Sequence, residues 1–225
     1  SNDELSERVD TSDAWIQERT GIKQRHIAAE GETTADLAVK AAQAALEHAG
    51  MKAADIDLIV LATATPDYTF PATATIVQER LGCGSGAAFD IQAVCTGFVY
   101  ALSVADKFVR TGTAKCALIV GAETLSRVLD WTDRGTCVLF GDGAGAVLME
   151  ASEEPGILST HLHADGAYEH LLSVSGGIGQ GYDSLKDGNG YVLNCDYYDR
   201  SIEKAIGRQG GLLKQAYAVA KSRLR

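Results

Sequence analysis

Apolar positions in this chain recur first at helical spacing and then in short unbroken runs, and the two patterns take turns. Between Thr34 and Met51, the residues Leu37, Ala38, Ala41, Ala45 and Leu46 fall on one face of a helix, and Gly50 supplies its stop. The run from Ile56 to Ala62, interrupted only by Asp57, reads as a buried strand. The same order returns as Thr73 to Leu81 followed by Ala87 to Ile91, and again as Gly97 to Arg110 followed by Lys115 to Val120. This alternation predicts an α/β fold with a largely buried sheet.

At the start, Ser1 to Leu5 reads as the beginning of a helix, and Thr11 or Ser12 is placed to cap a second short helix through Asp13, Ala14, Trp15 and Ile16. Two more strands are expected, Gly145 to Met149 and Gly156 to His161, on either side of the polar connector Glu150 to Pro155. That connector is the best boundary, dividing residues 1–152 from residues 153–225. Gly176 to Gly190 is rich in Gly, Asp and Ser and is expected to be a loop. Arg200 to Leu224 has the pattern of an amphipathic helix interrupted by Gly207 and by Gly210 with Gly211.

Composition narrows the class. The 225 residues are 46% hydrophobic, enough for a sizeable core. The net charge of −10 argues against nonspecific nucleic-acid binding, which needs clustered Lys and Arg. Charge is uneven: from Arg200 onward the balance is about +6, leaving about −16 on the rest, and a solvated helix face accounts for the basic tail. The five cysteines, Cys83, Cys95, Cys116, Cys137 and Cys195, form no CxxC pair, and neither a secretory leader nor a long apolar span precedes them. The expectation is reduced thiols, a cytoplasmic location and no membrane span.

The segment richest in chemistry runs from Ala88 through Ile91 and Cys95 to Phe98, where an apolar strand turns into a helix rich in Ala, Val and Phe. A lone cysteine is by default a small packed hydrophobe. One placed at a helix N-terminus meets exposed amides and the positive end of the helix dipole, which favour the nucleophilic thiolate. The glycines from Gly141 to Gly145 lack the Walker lysine and lead into no helix, so tight-turn geometry explains them better than a nucleotide loop does. His161 and His163 share one side of the expected strand, but no acidic or cysteine cluster completes a metal site, and no metal is expected.

Four stretches carry a resemblance: Trp15 to Ile22, the pair Phe70 and Pro71, Cys95 to Phe98, and Phe140 to Ala146. In order and separation they resemble the β-ketoacyl-acyl-carrier-protein synthase III family, over about Asn2 to Gly177. The resemblance implies the thiolase fold, a layered αβαβα structure of two similar halves, usually a homodimer. It implies an acyltransferase that accepts a short acyl group from acyl-coenzyme A, used as substrate with no permanently bound cofactor. That group is then condensed with malonyl-acyl-carrier protein, with loss of carbon dioxide, to initiate fatty acid synthesis. Cys95 matches the acyl-accepting nucleophile, and its backbone N–H would form part of an oxyanion hole. Trp15 matches the residue that stacks on the adenine of coenzyme A, Arg134 its partner on the other face, and Arg19 and Thr11 contacts to the nucleotide end. Leu125 and Phe140 match acyl-pocket positions, and Phe70 a residue that reaches across the dimer to close the partner's pocket.

The resemblance stops at two points. The family's catalytic histidine and asparagine stand in segments like Pro-His-Gln-Ala-Asn and Gly-Asn-Thr-Ser, and nothing after Gly177 is similar to either. The strand that should precede Asn2 is also missing from the sequence, so the expectation is an incompletely represented full enzyme. The alternatives are a noncatalytic thiolase-fold partner subunit, or an acyl transferase or hydrolase without decarboxylation activity.

Overall fold

A computed structural model of the chain describes residues 1–175, 177–180 and 193–195. Its helices are α1 (Asn2–Ser6), α2 (Asp13–Thr20), α3 (Thr34–Ala49), α4 (Thr73–Leu81), α5 (Gly97–Arg110) and α6 (Arg134–Cys137). Its strands are β1 (Leu58–Ala62), β2 (Ala87–Ile91), β3 (Cys116–Thr124), β4 (Asp142–Glu150), β5 (Leu172–Val174) and β6 (Leu193–Cys195). The chain divides into two compact units, one made of Ser1–Gln24, Val128–Phe140 and the residues from His161 onward, the other of Arg25–Arg127 and Gly141–Thr160.

The larger unit is built on a four-stranded sheet in the order β2-β1-β3-β4. The strands β2, β1 and β3 are parallel, and β4 runs antiparallel along the whole of β3. Every residue of β1 is buried, because the sheet is covered on both faces. Ile59 and Leu61 join Leu118, Val120 and the apolar side of α3 and α4 on one face. Leu58, Val60 and Ala62 join Ala117, Ile119 and α5 on the other. Each fully buried Leu, Ile or Val here contributes about 1.5–3 kcal/mol. The one polar interruption of the first strand run is used: the Asp57 carboxylate accepts the amides of Lys115 at 2.8 Å and Cys116 at 3.1 Å, fastening β3 beside β1. Gly86 is required where β2 starts, since a Cβ there would stand 2.3 Å from the Asp57 carbonyl oxygen.

In the smaller unit, buried Asn2 donates to Asp13 and to the Ile22 carbonyl, both at 2.8 Å, tying α1 to α2. Leu5 and Ile16 pack with Cys137 and Val138 in a separate small core.

Two expectations need correcting. Gly156 to His161 forms no strand, and Leu158 is 64% exposed; no neighbouring backbone pairs with this stretch among the described residues. His161 and His163 are therefore exposed on irregular chain rather than paired on a strand face. The run Gly141 to Gly145 is not a tight turn, for Asp142 onward is β4, with Gly143 opposite Glu123 and Gly145 opposite Gly121. The expected helix over 200–224 and most of the expected loop over 176–190 lie outside the described residues.

Candidate active site

Cys95 stands on the bend between β2 and α5. After Ile91 the chain turns through a short 3-10 segment, Val94–Thr96, and α5 begins at Gly97. Val94 sits at φ 45°, a region that β-branched residues rarely occupy and that costs of order 1–3 kcal/mol to hold. The bend is closed by Thr96, whose amide and hydroxyl both donate to the Ala93 carbonyl, at 3.1 and 2.9 Å. Gly97 allows the helix to start hard against the sheet, because a Cβ there would lie 3.1 Å from that of Ala62. No side chain caps α5 at Thr96; the 3-10 turn runs straight into the helix instead, with the Gly97 amide donating to the Val94 carbonyl.

Among Cys83, Cys95, Cys116 and Cys137, Cys95 is the exposed one. Cys137 is fully buried. Burial pushes the Cys116 thiol up to about 11, reinforced by the carboxylates of Asp57, Glu150 and Asp55, and burial also raises Cys83. Both stay protonated at neutral pH and are poor nucleophiles.

Phe70 and Leu125 share the topology of Cys95. Each follows the carboxyl end of a parallel strand, Phe70 after β1, Cys95 after β2 and Leu125 after β3, the side of an open α/β sheet where ligands bind. Phe70, which precedes a cis Pro71, is 82% exposed, and Leu125 is half-buried at the start of a 3-10 turn. Phe140 belongs to the smaller unit, where it is half-buried.

The smaller unit also gathers Trp15, Arg19 and Arg134. Ser12, rather than Thr11, caps α2 by accepting the Trp15 amide at 3.1 Å. The helical spacing sets Arg19 one turn after Trp15, with its guanidinium carbon 4.5 Å from the ring centroid. Arg134 opens α6, where Asp133 caps the Gly135 amide at 2.8 Å, and its guanidinium carbon lies 4.8 Å from the same ring. Arg134 is oriented by donating to the Asp10 carbonyl at 2.8 Å. Two planar cations on one half-buried indole make a platform suited to a flat, electron-rich and anionic ligand. Thr11, next to Asp10, has a buried hydroxyl without a hydrogen-bond partner among the described residues.

Several carboxylates escaped the sequence reading. Asp142 accepts the Ala28 amide at 2.7 Å, the Ser126 amide at 2.8 Å and the Ser126 hydroxyl at 2.6 Å. A Cβ on Gly141 would meet Arg25 Cβ and the His26 carbonyl, each at 3.0 Å, so this glycine is required by close backbone approach. Glu123 and Asp90 likewise hold backbone amides at the ends of β3 and β2. The available signal was a single acidic residue inside an apolar run. Among the described residues, no group of three His, Cys, Asp or Glu side chains could hold a metal ion, and no helix is long and apolar enough to cross a membrane.

Residues 89–166 match the profile of a family described as 3-oxoacyl-[acyl-carrier-protein (ACP)] synthase III. The beta-ketoacyl-[acyl-carrier-protein] synthase III of Thioalkalivibrio sulfidiphilus is 64% identical over 192 residues, covering 85% of this chain and 60% of that relative. Among solved structures, the 3-oxoacyl-[acyl-carrier-protein] synthase III of Aquifex aeolicus VF5 is similar at a TM-score of 0.79 and 45% identity, over 89% of this chain and 61% of that one. The corresponding synthase of Pseudomonas aeruginosa PAO1 has a TM-score of 0.79 and 42% identity, over 93% and 61%. The chain thus spans about three fifths of the length of the relatives it matches.

Proposed function

Because the chain belongs, over the part that matches, to the 3-oxoacyl-[acyl-carrier-protein] synthase III family and has its α/β thiolase fold, we propose that it carries the nucleophilic half of a condensing enzyme. Residues 1–152 form the half with the nucleophile, and 153–225 contribute to the second. The observation that carries this reading is the exposed Cys95 on a strained bend at the start of α5.

The Cys95 sulfur attacks the carbonyl carbon of a short acyl-coenzyme A. The oxygen of the tetrahedral intermediate takes its negative charge beside the Cys95 amide, a donor that needs no reorganisation during the step. Collapse expels the coenzyme A thiolate and leaves the acyl group as a thioester on Cys95. Malonyl-acyl-carrier protein then loses carbon dioxide, and the resulting enolate carbon attacks that thioester, forming the new carbon–carbon bond and returning Cys95 as thiolate. The β-ketoacyl product starts fatty acid synthesis. Trp15, Arg19, Arg134 and Thr11 hold the nucleotide end of coenzyme A, with the indole against the adenine and the buried Thr11 hydroxyl ready for a partner. Leu125 and Phe140 line the acyl pocket. Phe70 closes the pocket of a second copy in a cytoplasmic homodimer.

The test is the intact mass of the protein after incubation with acetyl-coenzyme A, beside Cys95→Ala, followed by addition of malonyl-acyl-carrier protein. Acetylation lost in the variant and a β-ketoacyl product are expected. No acetylation of the unaltered protein overturns the reading and favours a noncatalytic partner subunit.

A further inference from the structure

The loop of residues 63–72 between β1 and α4 carries the two most exposed aromatic side chains among the described residues, Tyr68 at 61% and Phe70 at 82%. A ring so exposed takes no position from packing in its own chain, so its location depends on where the backbone beneath it is fastened. The loop's own Asp67 accepts the Ala35 amide at 3.0 Å, and two carboxylates from outside the loop fasten its ends. At the loop's start, Glu123 accepts the Ala64 amide at 2.7 Å and the Thr65 hydroxyl at 2.6 Å. The Thr65 hydroxyl in turn accepts the Thr124 amide at 2.8 Å, so this stretch is stitched to the end of β3 twice. At the loop's end, Asp90 accepts the amides of Thr73 and Ala74, at 2.7 and 2.8 Å, capping α4, which has no cap from its own Ala72.

Among the described residues neither carboxylate forms an ion pair. Both are half-buried, and their charge is met by amides and hydroxyls alone. Burial acts on Glu123 strongly enough to raise its pKa despite these bonds. Desolvating a carboxylate costs more than placing an apolar residue at the same spot, whereas its directional bonds fix a backbone more tightly than apolar contact does.

We propose that Glu123 is a positioning residue for Phe70, holding the start of the 63–72 loop so that the aromatic ring sets which acyl chains the Cys95 of a second copy accepts. This rests on the reading of Phe70 as the residue that closes an acyl pocket.

Cys95 acylation rates with hexanoyl- and acetyl-coenzyme A, taken as a ratio, give the test in the full protein. Phe70→Ala is expected to shift the ratio about tenfold towards the longer chain. Glu123→Ala is expected to shift it the same way by about threefold, and adding Glu123→Ala to Phe70→Ala to add nothing further. Glu123→Gln, which keeps an acceptor for the Ala64 amide while the Thr65 hydroxyl turns to accept from its amide group, restores the original ratio. Hydrogen exchange of residues 64–70 is expected to quicken in Glu123→Ala and not in Phe70→Ala. If Glu123→Ala does not fold, Thr65→Val, which removes the hydroxyl joining Glu123 to the Thr124 amide and leaves the Ala64 bond, carries the same measurements. A shifted ratio in Phe70→Ala with none in the folded Glu123→Ala overturns the positioning role and leaves the Phe70 reading intact. Additive shifts in the double variant overturn it too, since Glu123 would then act independently of the ring. An unchanged ratio in Phe70→Ala overturns the Phe70 reading and this inference with it.

Discussion

Replacing Asp142 tests whether the Phe140 to Ala146 run is a structural fastening. Its carboxylate receives two amides and one hydroxyl, binding Ala28 and Ser126 to the first residue of β4. Bonds to a charged acceptor are worth about 1.5–3 kcal/mol each, and partial exposure brings the sum toward the lower end. Asp142→Ala is therefore expected to cost about 4–5 kcal/mol. Asp142→Asn keeps one oxygen for the Ser126 amide but sets an NH2 against the Ala28 amide, for a loss of about 2 kcal/mol. Ser126→Ala removes only the hydroxyl and costs about 1 kcal/mol, and close to nothing once Asp142 is already alanine. Urea unfolding followed by circular dichroism reads these as midpoint shifts at constant m-value, and for a chain of this size Asp142→Ala lowers Tm by on the order of 10 °C. A loss under about 1 kcal/mol for Asp142→Ala, or full additivity with Ser126→Ala, refutes the reasoning.

Two further outcomes are expected. Trp15→Ala removes the surface on which Arg19 and Arg134 lean, and is expected to raise KM for acetyl-coenzyme A about tenfold with kcat within about twofold; a fall in kcat at unchanged KM contradicts a binding role. Burial raises the folded pKa of Glu123 above its ordinary 4.5, so the stability this group supplies is present below that value and is lost as pH rises through the folded pKa. The stability of the unaltered protein relative to Glu123→Gln should fall over that interval and then level off, and a flat or rising difference in paired urea titrations refutes the burial argument.

The layering was legible wherever both faces of a strand are covered. The continuous apolar run of β1 and the helical faces of α3 and α5 leave their period in the sequence, because each buries a whole stripe or strand. The bend at Cys95 was legible for the same reason, as an apolar strand passing directly into an apolar helix. What stayed hidden depends on partners far away in the chain. Asp142 and Ala28 are 114 residues apart, and Glu123 and Ala64 are 59 apart, so no local spacing announces either pairing. The glycines of the Phe140 to Ala146 run looked like a turn because glycine at 143 and 145 is equally compatible with a turn and with the strand they occupy. Gly156 to His161 has the composition of a strand, but composition does not supply a neighbour to pair with. Trp15 and Arg19 share a helix, and their contact follows from spacing, whereas Arg134 was matched to the same ring only through the family resemblance.

Val94 has an implication for any directed-evolution campaign. Its φ of 45° suits glycine or asparagine, so selection for heat resistance alone would reward replacing it. The same replacement widens the conformations open to the bend that presents the Cys95 thiol. With Cys95 in the role proposed above, libraries sorted for melting temperature and libraries sorted for turnover would part company at this residue.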